Sequence, residues 1–312
     1  MGTYNGARYV EEQIRSIQAQ TYPHWTLWIR DDGSRDGTPA LLRTLAAADT
    51  RLRIVEDTLG NLGFNNNFHH LLSQSTAGYT LFADQDDVWH TQKIEKTLNA
   101  MLAQEREHPG APVLVHCDAI VADSDLRPIQ PFFVARRAVH RGLATALFAN
   151  PTQGATMMVN GPLRELIARA RPTVHYDYQA ALIAEATGYR CFLKESLLHY
   201  RQHAANALGA LSRKTADDAA ATPSVGMVSD TFQLGLTYEP QLKATLESVR
   251  DCWHPGVDAL LARHARYVYH SPSLFNLLWA LKTRYTFFRR RDHLDALLFA
   301  VGLLRGRPTV PH

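Results

Sequence analysis

The chain has 312 residues, 46% of them hydrophobic and 20% charged, and carries a net charge of +3. That length supports one large or two ordinary domains, and that composition excludes a disordered, fibrous or disulfide-stapled polypeptide. Three cysteines, Cys117, Cys191 and Cys252, lie far apart with no CxxC pair, which argues against a structural zinc site and for a reduced, cytoplasmic compartment.

The N-terminus, MGTYNGARY, is polar from its second residue and does not read as a secretory signal. Val10, Ile14 and Ile17 then fall on one helical face, which Thr21-Tyr22-Pro23 terminates. Thr26–Arg30 is a short apolar strand that runs into Asp31-Asp32-Gly33-Ser34. Pro39 at a first helical position, behind Thr38, opens a helix with Leu41, Leu42 and Leu45 on its apolar side. Arg53–Glu56 reads as a strand, and Phe64, Phe68, Leu71 and Leu72 as the next helical face. Tyr79–Ala83 is a buried-type strand ending in Asp84-Gln85-Asp86-Asp87, followed by a helix with Ile94, Leu98 and Met101 and a strand at Val113–His116.

Strand–helix alternation of this kind predicts an α/β domain with a mostly parallel, Rossmann-like sheet and helices on both faces. Ligands in such sheets bind beyond the carboxyl ends of the strands. Two strands here end in acidic clusters, so several carboxylates are expected on one rim. The organisation expected is a catalytic domain over residues 1–210, a linker or mobile loop over 211–224 and a helical, basic region over 225–312.

Asp84, Asp86 and Asp87 lie within four residues. Like charges so close raise one another's pKa unless a cation compensates, and hard divalent cations favour oxygen ligands. An Asp-x-Asp turn therefore suits a Mg2+ or Mn2+ ion bridging to a pyrophosphate, although acidic loops are also common as solvated turns. Within Asp31-Asp32-Gly33-Ser34-Arg35-Asp36-Gly37, turn formation and helix capping account for the glycines and for one acid. They account less well for the adjacent Asp31 and Asp32, and a carboxylate at a strand end can accept hydrogen bonds from a ribose or a base N–H.

Six segments in fixed order resemble family 2 glycosyltransferases: Thr3-Tyr4-Asn5-Gly6; Ser16-Ile17-x-x-Gln20-Thr21-Tyr22; Asp31-Asp32-Gly33-Ser34-x-Asp36-Gly37-Thr38; Asn61-Leu62-Gly63; Asp84-Gln85-Asp86-Asp87-x-Trp89; and Tyr200-Arg201-Gln202-His203. The Asp-Gln-Asp-Asp and Tyr-Arg-Gln-His pieces are similar to a bacterial branch described as rhamnosyltransferases of cell-surface polysaccharide assembly. The resemblance covers about residues 2–209 and implies a GT-A fold and an inverting transfer. The donor it implies is a nucleoside diphosphate sugar, dTDP-rhamnose or a UDP-sugar, and the acceptor a glycan or lipid-linked saccharide.

Carried over residue by residue, the resemblance places Thr3, Tyr4, Asn5, Asp31 and Asp32 at the nucleoside and Asp84 at the ribose and diphosphate. Asp86 becomes the principal metal ligand with Asp84 beside it, His203 approaches the metal or diphosphate from across the cleft, and Asp177 is the catalytic base. Two departures stand out. Relatives carry His-Asp-Trp-Trp at the base where this chain has Tyr176-Asp177-Tyr178-Gln179, so the acceptor inferred from them does not transfer. Relatives also carry a hydrophobic first strand before the Thr-Tyr-Asn loop, which here begins at residue 3. An absent strand would expose neighbouring strand edges, and it leaves two readings: an internal methionine taken as the start, or a truncated, inactive nucleotide-binding remnant.

From Ala259 to His312 there are nine Lys/Arg against two Asp. Leu274–Arg291 interleaves Phe275, Trp279, Tyr285, Phe287 and Phe288 with Lys282, Arg284 and Arg289–Arg291, a pattern suited to a helix in an anionic membrane interface. Leu294–Leu304 is too short to span a bilayer, so the expected placement is cytoplasmic with peripheral contact on the inner face of the membrane. The basic residues are confined to the tail and no nucleic-acid-binding motif accompanies them, so no nucleic acid partner is expected.

Overall fold

The computed structural model describes residues 1–134, 142–147, 150–170, 172, 174–203 and 239–269. The expected linker at 211–224 and the aromatic, basic segment Leu274–Arg291 lie outside the described residues, as does Leu294–Leu304.

The chain opens with β1 (Gly2–Thr3), α1 (Val10–Gln18), β2 (Leu27–Asp31), α2 (Thr38–Ala48), β3 (Leu52–Ile54) and α3 (Phe64–Gln74). β1, β2 and β3 form one parallel sheet in that order. The apolar face read from the sequence is the one α1 buries: Val10, Ile14 and Ile17 are enclosed with Ile29 and Leu42 in a single core cluster. Where a full first strand was expected to be missing, a two-residue β1 pairs Gly2 with Arg30 and Thr3 with Asp31. The Met1 ammonium extends that pairing by donating to the Trp28 carbonyl at 2.7 Å.

Next come β4 (Tyr79–Leu81), β5 (Val88–Trp89), α4 (Lys93–Glu107), β6 (Val113–Ala122), β7 (Pro128–Gln130) and a short helix α5 (Leu143–Ala146). A 3-10 turn, Gly154–Thr156, leads into β8 (Met157–Asn160), α6 (Gly161–Arg169), α7 (Tyr176–Thr187) and β9 (Tyr189–Arg201). This second sheet has the order β4-β8-β6-β9-β5, with β7 against β6. Here the expected parallel arrangement gives way to a mixed one: β6 and β9 run parallel, whereas β4–β8, β6–β8, β6–β7 and β5–β9 are antiparallel. The helical crossover that enforces parallel pairing links β1 to β2 and β2 to β3, and the connections entering β5 and β7 lack it.

α7 is buried on nearly every face, with Leu182, Ile183 and Ala184 fully enclosed. One side packs on Phe68, Phe82 and Met157, and the other on α8 (Glu239–Glu247) and α9 (Val257–Tyr269) through Leu242, Leu246 and Val257. A helix held this way is a rigid platform for the residues at its N-terminus, among them Asp177.

Candidate functional site

The carboxyl ends of β2 and β4 deliver two acidic turns, and β9 returns opposite them. In the first turn every acid is occupied. Asp31 accepts from the Thr3 hydroxyl at 2.9 Å and from the Ser34 amide at 2.8 Å and hydroxyl at 2.6 Å. Asp36 accepts from the Thr38 amide and hydroxyl and from the Ala7 amide. Burial opposes its ionisation, but those donors outweigh it and hold the carboxyl below its ordinary range. Asp32, only 4% exposed, binds the Arg30 guanidinium at 2.7 Å and the amides of Leu62 and Gly63 at 2.7 and 2.8 Å. The Asn61-Leu62-Gly63 motif is thereby explained, since its backbone caps the Asp32 carboxylate.

The Thr3-Tyr4-Asn5-Gly6 loop is stitched to both turns. The Asn5 amide donates to Ser34 Oγ and its side-chain Oδ1 accepts from the Arg35 amide, at 2.8 Å in each case. Gln85, within the second turn, pairs with both backbone groups of Tyr4: it accepts from the amide at 2.8 Å and donates to the carbonyl at 3.0 Å. Gly6 is required by that approach, because a Cβ there would stand 2.2 Å from Gln85 Oε1. The Tyr4 ring itself is left 48% exposed.

The second turn is chemically different. Asp87 is fully buried; its Oδ1 accepts weakly from the Arg201 amide at 3.3 Å and its Oδ2 has no hydrogen-bond partner. Burial, followed by the charges of Asp86 and Asp84, pushes its carboxyl well above the ordinary value. Asp84 is pushed up to about 7 by burial first, then by Asp86 and Asp177. A fully buried Lys93 stands nearby, its Nζ 3.4 Å above the Trp89 ring centroid and without a hydrogen-bond partner. Burial lowers its pKa to about 8, and Cys117, Asp87 and Asp84 pull the other way.

Across the cleft, β9 ends in Tyr200-Arg201-Gln202-His203. His203 Nε2 lies 2.8 Å from Asp86 Oδ2, and its ring stacks on Tyr9 at 4.6 Å. Arg201 fastens the turn from below, donating to the Asp86 carbonyl at 2.8 Å and the Ser124 carbonyl at 2.6 Å and pairing with Glu12. From the other side, α1 supplies the remaining motif residues as supports. Ser16 Oγ accepts from the Trp89 amide, and Gln20 accepts from the Ile94 amide while donating to the His90 carbonyl.

Asp177 occupies the first turn of α7, where an ionised carboxylate is favoured by the helix N-terminus. Its Oδ1 accepts from the Tyr178 amide at 2.7 Å, and its charge is among those that raise the Asp84 carboxyl. Tyr176, stacked on Phe68 at 4.3 Å, lines that space; burial pushes its phenol well up, with Asp84 and then Asp177 adding to the effect.

A divalent cation fits this turn, since it would relieve the repulsion among carboxylates of which Asp87 keeps one oxygen without a hydrogen-bond partner. Among the described residues no three His, Cys, Asp or Glu side chains converge as a finished metal cage. That agrees with a Mg2+-type site, which takes one or two protein carboxylates and completes its shell with water and substrate phosphate. The structure thus brings Asp84, Asp86, His203 and Asp177 to one cleft. Thr3, Asn5, Asp31 and Asp32, the residues expected at the nucleoside, are engaged as braces for the loops beside it. Arg201, Gln85 and Lys93 were given no role from the sequence; Arg201 and Gln85 had a signal as members of the Tyr200–His203 and Asp84–Asp87 motifs of the resemblance, and Lys93 had none.

Comparison with known proteins gives this arrangement a family. The sequence model described as Glycosyl transferase family 2 matches residues 1–147. The Bacillus subtilis protein TuaG, whose name assigns it to teichuronic acid biosynthesis, is 34% identical over 102 residues, covering 32% of this chain and 39% of its own. The Escherichia coli UDP-Glc:alpha-D-GlcNAc-diphosphoundecaprenol beta-1,3-glucosyltransferase WfgD is 31% identical over 104 residues, 33% of this chain and 39% of its own. Each match therefore spans well under half the relative's length. Among solved structures, S. aureus TarS 1-349 in complex with UDP superposes with a TM-score of 0.52 at 13% identity, covering 96% of this chain and 88% of that one, a likeness of fold. The α/β architecture is the GT-A fold that the motifs implied, and residues 1–147 are a glycosyl transferase family 2 domain.

Proposed function

We propose that this chain is an inverting, metal-assisted glycosyltransferase that moves a sugar from a nucleoside diphosphate to a glycan or lipid-linked acceptor. The observation that carries the reading is the second acidic turn: carboxylates held above their ordinary range by burial and mutual repulsion despite Lys93 and the Met1 amino group nearby, His203 facing Asp86, and Asp177 as a further charge on Asp84.

In this reading Asp177 takes the proton of the acceptor hydroxyl as that oxygen attacks the anomeric carbon, on the face opposite the departing diphosphate. Attack and departure on opposite faces invert the anomeric centre. Asp86, with Asp84 and His203, would hold a Mg2+ or Mn2+ ion, whose contribution is to neutralise the charge that develops on the leaving diphosphate. Thr3, Tyr4, Asn5, Asp31 and Asp32 form the nucleoside wall, with the exposed Tyr4 ring as a stacking surface and Asp32 fixing the loop above it. Rotation of His203 away from Asp86 would accompany donor entry.

The donor sugar and acceptor are suggested by relatives. WfgD takes UDP-Glc and a diphosphoundecaprenol-linked acceptor by its name, and the Shigella flexneri relative RfbG, 28% identical over 106 residues, is a dTDP-rhamnosyl transferase. Rhamnose therefore stands beside glucose as a donor to try. No helix among the described residues is long and apolar enough to cross a membrane, and contact with lipid is assigned to the basic segment beyond residue 269.

The test is a panel of dTDP-rhamnose, UDP-glucose, UDP-GlcNAc and GDP-mannose with Mn2+ and a diphospholipid-linked GlcNAc acceptor, read as nucleoside diphosphate release and anomeric configuration. The reading expects one donor to be turned over with inversion. Retention of configuration, or no release from any donor by a folded chain that binds nucleotide, overturns it; the latter would favour the non-catalytic remnant.

A further inference from the structure

Tyr9 stands immediately before α1, and two guanidinium groups and an imidazole gather around its ring. The His203 ring stacks on it at 4.6 Å, the Arg201 guanidinium carbon lies 4.8 Å from its centroid, and that of Arg8 lies 5.0 Å away. Two of these side chains are engaged. His203 Nε2 reaches Asp86 Oδ2 at 2.8 Å, and Arg201 pairs with Glu12 and donates to the carbonyls of Asp86 and Ser124. Arg8 is different: it is exposed, and among the described residues its guanidinium meets the Tyr9 ring and no carboxylate. The acids nearest to it in sequence are taken, Glu11 by Arg15 at 2.6 Å and Glu12 by Arg201.

An exposed arginine is ordinarily a solvated charge, and the place of this one argues for more. One ring separates its guanidinium from His203, and one hydrogen bond separates His203 from Asp86. The backbone beneath it is fixed. The Tyr9 and Val10 amides donate to the Gly6 carbonyl at 3.0 Å, the Ala7 amide donates to Asp36 at 3.1 Å, and the Gly6 amide donates to the Thr38 hydroxyl at 2.8 Å. The side chain is not fixed in the same way, because a cation–π contact at an exposed site is weak and yields readily to a stronger partner. A phosphate is such a partner, since the guanidinium fork matches it with two parallel N–H bonds. The cleft also calls for one: an acidic turn that attracts a cation repels a diphosphate, and a positive group beside it offsets that repulsion.

We propose that Arg8 is a diphosphate-binding residue, its guanidinium leaving the Tyr9 ring to grip the diphosphate of a substrate entering the cleft. The proposal rests on the glycosyltransferase reading above. A diphosphate has two sources there, the sugar donor and a diphospholipid-linked acceptor, and the recognition chemistry is the same for both.

The experiment separates the sources by binding alone. UDP, dTDP and GDP, and the matching nucleoside monophosphates, are titrated with Mn2+ by calorimetry into the full chain, Arg8→Gln and Arg8→Lys. Farnesyl diphosphate, a short prenyl diphosphate, is then titrated into each chain saturated with the nucleotide that binds. Arg8→Gln is expected to weaken the recognised diphosphate by about tenfold and Arg8→Lys by about threefold, since a point charge keeps part of the contact without the fork. A loss confined to the nucleoside diphosphate assigns Arg8 to the donor, and a loss confined to farnesyl diphosphate assigns it to the acceptor. In both cases monophosphate binding and unfolding temperature stay at the parent's values, which a merely structural role would not leave untouched. Equal weakening of nucleoside diphosphate and monophosphate, or no change in either arm, overturns the proposal and leaves the function standing. If the parent chain binds no nucleoside diphosphate, the glycosyltransferase reading fails and this proposal falls with it.

Discussion

Two acidic turns close the two sheets of this molecule at the same rim, and they spend their carboxylates in opposite ways. Asp31, Asp32 and Asp36 each accept two or more hydrogen bonds from this chain's own amides, hydroxyls or guanidinium. Asp84 and the fully buried Asp87 are held above the ordinary carboxylate range, Asp87 keeps one oxygen unpartnered, and among the described residues Asp86 is met by His203 at its carboxylate and by Arg201 at its carbonyl. The first turn is satisfied by the chain's own donors; the second keeps an unpartnered carboxylate oxygen. In sequence the two look alike, so composition alone does not separate a structural acid from one held for chemistry.

The largest effect expected lies at neither turn but at the group both orient. Asp177→Asn removes the proposed base while keeping its shape, and turnover should fall by about a thousandfold with nucleotide affinity and unfolding temperature little changed. Unchanged turnover in a normally folded variant would remove Asp177 from the mechanism.

At the first turn the effect should appear in stability. Asp32→Asn leaves the Arg30 guanidinium, 2% exposed, with Asp57 as its remaining carboxylate and breaks the cap on Leu62 and Gly63. A loss of about 3 kcal/mol is expected in urea unfolding, because one partner of a buried ion pair is removed. A variant as stable as the parent would mean that Asp32 is not the brace described.

At the second turn the sign reverses. The folded pKa of Asp84, about 7, lies above the ordinary carboxylate value, so its stabilising share is present at low pH and is lost as pH rises. Without metal, Asp84→Asn should therefore come close to the parent near pH 4 and be more stable by up to about 4 kcal/mol at pH 8, the gap opening between those limits. The same scan on Asp32→Asn should show destabilisation at pH 8. If both substitutions move stability in the same direction, the contrast between the turns is lost.

Much of this was legible beforehand. The helical faces of α1 and α3, the strands ending in acids and the family resemblance follow from local pattern, because apolar periodicity and turn chemistry act over a few residues. The pairing of Gln85 with the Tyr4 backbone was not, since it depends on a register set between segments 81 residues apart. Lys93 gave no signal either: a lysine opening a helix reads as solvated, and only the packing of Trp89 over it makes it buried. Parallel pairing was over-extended to the second sheet because nothing local to β5, β7 or β8 announces the direction of its partner.

The central claim is that the second turn is a site for metal and diphosphate. Its most direct test is a thermal-shift measurement of UDP, dTDP and GDP with and without Mn2+, on the parent chain and on Asp86→Ala. The account predicts that one nucleotide stabilises the parent by several degrees only when Mn2+ is present, and that Asp86→Ala, itself folded, loses that response. A response that needs no metal, or one that survives Asp86→Ala intact, would contradict it.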